Sequence, residues 1–273
     1  MNINKIMVAS DFTSVSDNAI DHALKLAQAT SGEVFVLHVA RELAEVNTAK
    51  IKLAKQIADR NPGETTTHVV VKIGNFITEI GKAASEEGAQ LIMMGTHGPR
   101  GFIQTVTGGD AMKVVSHSEK PFIVVQEKGI KETGYDEIVV PLDMTEDSKQ
   151  KLDEVADIAK YFGSKVHIIA KHETDNSLYT KLKNNVLFAK KYFLEKGVDF
   201  NIVITEPKTD FEKEIIKYAK ENDADLIAII NSLKWNIFGS LFASRREEQI
   251  ITNKEQIPVL CVNPIDVKSG YSM

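Results

Sequence analysis

Short apolar runs alternate along the chain with longer stretches in which apolar residues recur at helical spacing. In the first half the runs predict five strands, at Lys5–Ala9, Val34–Val39, Thr67–Val71, Leu91–Gly95 and Phe122–Gln126. The stretches between them predict four helices, over Ser16–Thr30, Glu42–Arg60, Phe76–Glu87 and Asp110–Ser116. Ser14 or Ser16 is predicted to cap the first helix, and Ser31-Gly32 to end it. Because the strand runs are apolar on both faces, they indicate a mostly parallel sheet with helices on both sides.

The same pattern of predicted strands and helices occurs twice along the chain. Ile6–His38 aligns without gaps on Ile138–Ala170 with eight identities in 33 positions, and Phe76–Ile92 aligns on Phe211–Ile227 with nine in 17. The offset between the copies grows from 132 to 137, where Pro121 matches Pro258. The sequence therefore predicts two domains of one architecture, over residues 1–128 and 136–265, each with a five-stranded sheet.

The segment between the copies is polar and carries two glycines, as a short linker does. Its residues run from Glu127 to Tyr135. The tail from Asp266 has no apolar periodicity, and we expect it to be disordered.

The 273-residue length of the chain is itself close to that of two ordinary domains.

Composition and charge exclude several classes of protein. A net charge of −5 without a dense basic run argues against nucleic acid or an anionic membrane as a partner. No apolar stretch reaches the length of a membrane span, and no signal-peptide pattern opens the chain, so we expect a cytoplasmic protein. One cysteine, Cys261, lies in an apolar run and is predicted to be a buried, inert thiol.

The candidate chemistry lies in the loops that follow strands one, two and four. Ligands of open parallel sheets bind beyond the carboxyl ends of the strands. After the fourth strand comes Gly95-Thr96-His97-Gly98, then nine residues, then Gly108-Gly109 before a predicted helix. Glycines there let backbone N–H groups approach a phosphate beside a helix N-terminus, and Arg100 adds a cation. A plain surface turn shaped by glycines is the alternative interpretation.

The pattern Gly95-x2-Gly98-x9-Gly108, with the first strand leading to Asp11 and the closing strand after Pro121, resembles the universal stress protein family in its tandem form. The resemblance implies two Rossmann-like domains, similar to adenine-nucleotide alpha hydrolases, paired through their last strands within one chain or in a homodimer. It also implies ATP or another adenine nucleotide as ligand, and we expect Mg²⁺ to accompany the nucleotide. The residues that the resemblance implies for nucleotide binding are Ser10, Asp11, Val39, Met94, Gly95, Gly98 and Gly108. The loop itself adds four further candidates for nucleotide binding, which are His97, Arg100, Gly109 and Asp110.

The glycine loop departs from the family pattern at its end. The family places Ser or Thr after the last glycine, whereas this chain has Gly109 followed by Asp110. A carboxylate at a helix N-terminus occupies the positive field that a phosphate needs. We therefore expect weakened or altered nucleotide binding in the first domain.

The second copy keeps Asp143 but has Asn231 and Trp235 in the region where the first copy has glycines. No nucleotide is expected in this half. The segment Trp235–Phe242 is predicted to fill its own pocket, pack on the other copy or bind an apolar ligand.

Enzymatic activity receives little support from the sequence. The seven histidines show no metal-binding spacing, and no hydrolase elbow or P-loop is present. We expect a stress-response binding and signalling module whose protein partner the sequence leaves unidentified. Two alternatives stay open: a slow nucleotide hydrolase or phosphotransferase, and an apolar-ligand or scaffold protein that uses the second domain.

Overall fold

The computed structural model describes residues 3–97, 114–115, 118–207, 209–231 and 241–264. Ten strands are present in these residues: β1 (Lys5–Ala9), β2 (Glu33–Ala40), β3 (Thr66–Ile73), β4 (Leu91–Gly95), β5 (Phe122–Val125), β6 (Glu137–Leu142), β7 (Lys165–Ala170), β8 (Asp199–Ile204), β9 (Leu226–Ile230) and β10 (Val259–Val262). Each strand therefore agrees in place with an apolar run of one of the two copies.

Seven helices of at least eleven residues accompany the strands in the described part of the chain. They are α1 (Ser14–Thr30), α2 (Val46–Asp59), α3 (Phe76–Glu87), α4 (Leu152–Phe162), α5 (Asn176–Lys196), α6 (Phe211–Glu221) and α7 (Leu241–Ile251). Short 3₁₀ turns at Leu43–Glu45 and Asp147–Lys149 precede α2 and α4. The predicted helix over Glu42–Arg60 is thus a 3₁₀ turn followed by a shorter α-helix.

All ten strands form one sheet, in the order β3-β2-β1-β4-β5-β10-β9-β6-β7-β8. Neighbours within each half are parallel. The predicted α/β class with a mostly parallel sheet is confirmed. The boundaries at 128 and 136 stay a prediction, although β5 ends and β6 begins on either side of them.

The two halves join through β5 and β10, which pair antiparallel with Ile123 opposite Leu260 and Phe122 opposite Cys261. The predicted pairing through the last strands is therefore made inside one chain. Both strands are buried along their whole length, so the apolar core continues across the junction. Cys261 is buried as expected.

The start of α1 differs from its predicted cap. The cap residue is Thr13, not Ser14 or Ser16, and its hydroxyl donates to the Asp11 carboxylate instead of capping the helix. Ser16 lies inside the first turn, and its hydroxyl donates to the Thr13 carbonyl at 2.8 Å. At the other end Ser31 ends the helix in the left-handed conformation, as the Ser-Gly signal predicts.

Ion pairs and a hydrogen bond join the linker between the halves to the rest of the protein. Lys131 lies within 2.8 Å of carboxylate oxygens of both Asp223 and Asp225. Tyr135 is fully buried, and its hydroxyl lies 2.9 Å from Nδ1 of His22 in α1. The residues just before β6 are thereby held against α1.

Three sequence-based expectations fall outside the described residues. They concern most of the predicted helix Asp110–Ser116, of which Val114 and Val115 are described and helical, the segment 232–240 with Trp235, and the tail from Asp266. Among the described helices, none combines the length with the low charge that crossing a bilayer would require.

Candidate functional site

Two adjoining cavities open beyond the carboxyl ends of β1, β2 and β4. The smaller has a volume of about 70 Å³ and the larger about 1000 Å³. Asp11, His38, Val39 and Phe76 line both. This is the edge of a parallel sheet at which ligands bind, and it is where the sequence placed the site.

Ser10 lies in the wall of the smaller cavity, but its side chain is used internally. The Ser10 hydroxyl donates to Gln56 Oε1 at 2.7 Å and accepts from the Phe12 N–H at 3.1 Å. Ser16 adds a hydroxyl contact at 3.3 Å. Because these bonds occupy the Ser10 hydroxyl, this residue shapes the loop after β1 more than it offers a ligand contact.

Asp11 keeps one carboxylate oxygen for a ligand. Its Oδ1 accepts from the backbone N–H and the hydroxyl of Thr13, closing a turn after β1. Its Oδ2 makes no hydrogen bond or ion pair with any residue that the structure describes. The turn therefore fixes the carboxylate in the cavity wall with acceptor capacity to spare.

His38 and Phe12 form an aromatic wall that the sequence did not single out as part of the site. Their ring centroids lie 4.4 Å apart, and Phe12 has a φ of 66°, which a bulky residue rarely adopts. His38 Nδ1 lies 2.8 Å from the Ser10 carbonyl, which can only accept, so Nδ1 carries a proton. Nε2 of the neutral ring is then an acceptor. The positive φ of Phe12 has no signal in the sequence.

Most of the residues that line the smaller cavity are apolar. They include Val39, Phe76 and Met94, together with Leu37 and Ile80. Val39 and Met94 are among the residues that the resemblance implied for nucleotide binding. Phe76 begins α3, just beyond the end of β3, and the loop after β3 was not among those nominated from the sequence.

Gly95 has a packing role that its predicted ligand role did not include. A Cβ at Gly95 would lie 2.4 Å from the carbonyl oxygen of Val15 and 2.9 Å from the amide nitrogen of Ser16. Glycine is therefore required for β4 to pass the first turn of α1. Gly95 also lines the smaller cavity.

The structure describes only one of the remaining residues that were predicted for the site. His97 is half-buried two residues beyond β4. Gly98, Arg100, Gly108, Gly109 and Asp110 lie outside the described residues. The structure thus gathers Ser10, Asp11, Val39, Met94 and Gly95, and the phosphate part of the site stays a prediction.

The wall of the larger cavity adds cations and a helix terminus. Arg41 and Lys52 line it, and Lys52 Nζ lies 5.4 Å from the ring centroid of Phe12. Asn75 caps α3, with its side-chain oxygen accepting from the Ile77 N–H at 2.8 Å. Within the described part of the chain, no group of three or more His, Cys, Asp or Glu residues is arranged to hold a metal ion.

The second half repeats the turn of the first. Asp143 Oδ1 accepts from the Thr145 N–H at 2.8 Å and from its hydroxyl at 2.6 Å, as Asp11 does from Thr13. Asn231 stands where the first half has Thr96, and its side chain donates to Asn263 Oδ1 at 2.7 Å. The two sites therefore share a carboxylate turn and differ beyond the fourth strand.

Comparison with known proteins gives a consistent result. The model of the universal stress protein family matches residues 2–126. Universal stress protein MJ0577 of Methanocaldococcus jannaschii is 26% identical over 154 residues, which cover 45% of this chain and 95% of that protein. Universal stress protein YxiE of Bacillus subtilis is 25% identical over 146 residues, which cover 45% of this chain and 99% of that protein. These relatives thus correspond to about half of the chain.

Solved structures match the chain over nearly its whole length, and one of them illustrates the result. It is a universal stress protein from Archaeoglobus fulgidus, with a TM-score of 0.70 and 18% identity, and the match covers 97% of this chain and 98% of that one. At this identity the match concerns the fold. It extends the similarity in architecture to the second half, which the family model does not reach.

Proposed function

Because the first half of the chain belongs to the universal stress protein family, with residues 2–126 matching the family model, we propose that this half is a binding module for an adenine nucleotide. The observation that carries the proposal is the cavity at the ends of β1, β2 and β4, which apolar side chains and Asp11 line together. Ligand occupancy, and not turnover, is the output of such a module in a stress response.

The described part of the cavity suits the nucleoside. Val39, Phe76 and Met94 offer apolar contacts for a planar base. Asp11 Oδ2 has acceptor capacity for ribose hydroxyls, because only Oδ1 is occupied by Thr13. Partners for a base and for a sugar therefore line the same pair of adjoining cavities.

The phosphates would lie along the glycine loop. That loop departs from the β4 end at Gly95 and carries Gly98, Arg100 and Gly108 in the sequence. Asp110 places a carboxylate there, which disfavours a triphosphate by charge repulsion. We infer that AMP binds more tightly than ATP. Mg²⁺ would narrow this difference in affinity if Asp110 held it, because it would offset the repulsion between the carboxylate and the phosphates.

Calorimetric titration of the full chain tests the proposal with AMP, ADP and ATP, each with and without Mg²⁺. Asp11→Asn keeps the Oδ1 acceptor for Thr13 and removes the charge, and we expect it to weaken AMP binding at least tenfold. The matched control is Asp143→Asn, the same change in the second half, which should leave AMP binding unchanged. Absence of heat and of a thermal shift with all three nucleotides at millimolar concentration would overturn the proposal.

A slow nucleotide hydrolase is tested on the same samples. Phosphate release from ATP that Asp11→Asn abolishes and Asp143→Asn retains would assign turnover to this site. We expect no release above that of buffer, because among the described residues lining the site only Arg41 and Lys52 are positively charged, whereas phosphoryl transfer needs several charges around the transferred group.

A further inference from the structure

A second cavity, of about 420 Å³, opens at the same edge of the sheet in the other half, beyond the ends of β6 and β9. Its apolar wall includes Phe211 and Ile215 from α6, Ile229 from β9 and Ile250 from α7. Asp143 and Lys151 lie in its polar wall. The cavity has the size of a small-molecule site, in the half where the sequence predicts no nucleotide.

Lys151 is the unusual member of this wall. It stands at the position of Ala19 in the gap-free repeat, and Ala19 is a fully buried core residue of α1. Lys151 is only 2% exposed. Its Nζ donates to the Ser148 carbonyl at 3.0 Å, and no other hydrogen bond or ion pair joins it to a described residue. An ammonium has three N–H donors, so two of them remain for a ligand.

Burial of this ammonium lowers the stability of the fold. Burial lowers the pKa of Lys151 to about 8, and the opposing attraction of Asp143 is too weak to restore it. Alanine at the same position of the first half shows that the architecture does not need a charge there. A costly charged group in a cavity wall is typical of a functional site.

The other charges of the wall restrict the ligand. Four carboxylates line the cavity, those of Asp143, Asp147, Glu212 and Glu247, with the cations of Lys151 and Arg246. Arg246 Nε lies 3.6 Å from Glu212 Oε1, so its charge is offset. These carboxylates would repel a phosphate chain, which carries several negative charges. A ligand with a single negative group could place that group beside the Lys151 ammonium and keep the rest of its body uncharged.

We propose that this cavity binds a small monocarboxylate with an apolar body, whose carboxylate accepts hydrogen bonds from Lys151 Nζ while the body packs on Ile215, Ile229 and Ile250. The site is independent of the nucleotide site in the first half. It gives the second half a ligand of its own.

Hexanoate, 1-hexanol and hexylamine share one apolar body with three head groups, and ligand-observed NMR and calorimetry on the full chain at pH 7 compare them. We expect hexanoate to bind at least tenfold more tightly than either hexanol or hexylamine, because only its head group carries the charge that complements Lys151. Lys151→Met should weaken hexanoate binding at least tenfold and raise Tm, because it replaces a buried charge by an apolar side chain of similar length. The control is Lys149→Met, which changes a lysine outside the cavity wall.

The pH dependence of hexanoate affinity distinguishes a contact with the Lys151 charge from apolar packing alone. The other charged groups that line the cavity with Lys151 are Asp143, Asp147, Glu212, Arg246 and Glu247. With a pKa of about 8 for Lys151, hexanoate should bind roughly tenfold more weakly at pH 9 than at pH 7. Lys151→Gln, which keeps a polar side chain without the charge, should remove this dependence.

Equal binding of hexanoate to wild type and Lys151→Met, or no binding at 10 mM, would overturn the proposal. Lys151→Gln decides the matter if the methionine variant does not fold. AMP titration of each variant keeps the two sites apart, because loss of hexanoate binding with AMP binding unchanged concerns only the second half.

Discussion

Gln126 and Asn263 occupy the same position in the two copies, 137 residues apart, and each reaches from the end of its own half into the other. Gln126 Nε2 donates to the carbonyls of Ile251 at 3.2 Å and Asn253 at 3.0 Å. Asn263 Nδ2 donates to the carbonyls of Val115 and Ser118, both at 2.7 Å. The two amides therefore fasten the junction on both sides of the β5–β10 pair.

Replacing Asn263 by alanine should destabilise the protein by about 2–3 kcal/mol, because two buried carbonyls lose the Asn263 donor and the Asn231 amide loses an acceptor. Urea unfolding measures the free energy of unfolding. Asn176→Ala at the exposed start of α5 is the control and should change it by less than about 0.5 kcal/mol. An Asn263→Ala variant as stable as this control would show that the cross-half bonds do not contribute.

Gly95→Ala should destabilise the fold by about 1–3 kcal/mol, whether or not a nucleotide is present. The added methyl would lie 2.4 Å from the Val15 carbonyl oxygen, a backbone atom that cannot move without shifting α1. Thermal unfolding without ligand measures the effect.

Gly129→Ala is the matched control for Gly95→Ala. Its nearest neighbour would be Asn18 Oδ1 at 3.9 Å, an ordinary contact, so its Tm should remain close to that of wild type. Equal Tm values for the two variants would mean that β4 and α1 do not approach as closely as the structure shows.

Acid should weaken the junction between α1 and the linker through His22. Its Nε2 lies 3.2 Å from the Lys128 carbonyl, which can only accept, so Nε2 carries a proton. Its Nδ1 lies 2.9 Å from the Tyr135 hydroxyl, from which the neutral ring accepts. Burial lowers the pKa of His22 from 6.5 to about 4. The unfolded chain thus binds the proton more readily, and stability is lost as pH falls from 6.5 towards 4.

Between pH 7 and pH 5 this one group should cost about 2 kcal/mol of unfolding free energy. Urea midpoints at the two pH values measure it, and His22→Gln should flatten the difference by that amount. An unchanged pH dependence in His22→Gln would contradict the assignment.

Lys131→Met should destabilise the protein by about 1–3 kcal/mol, because it removes the ion-pair partner of Asp225, a buried carboxylate. That carboxylate also accepts from the backbone N–H groups of Asp136 and Glu137, which start the second half. Lys55→Met, in an exposed pair with Asp59, should cost less than about 0.5 kcal/mol.

A double-mutant cycle with Asp225→Asn isolates the contribution of the Lys131–Asp225 pair. We expect the two changes to be non-additive. Additive losses would show that Lys131 acts through Asp223 alone.

Much of the candidate site could be predicted from the sequence. Asp11, Val39, Met94 and Gly95 line one cavity because each stands at or just beyond the end of a strand, and strand ends of a parallel sheet share an edge. His38 and Phe76 were missed for that role, since a histidine near a strand end and a phenylalanine at a helix start are ordinary packing residues. Phe12 was missed because only its backbone conformation brings its ring onto His38.

The sequence by itself determined the elements, their order and their duplication, because hydrophobic periodicity is a local property that each segment carries alone. Only the tertiary structure decided how distant residues meet. It joined the two halves through β5 and β10 within one sheet, and it placed His22 against Tyr135, 113 positions away. It also revealed Lys151 in a cavity wall where the other copy buries Ala19. Such relationships depend on which side chains share a space, and spacing along the chain does not record that.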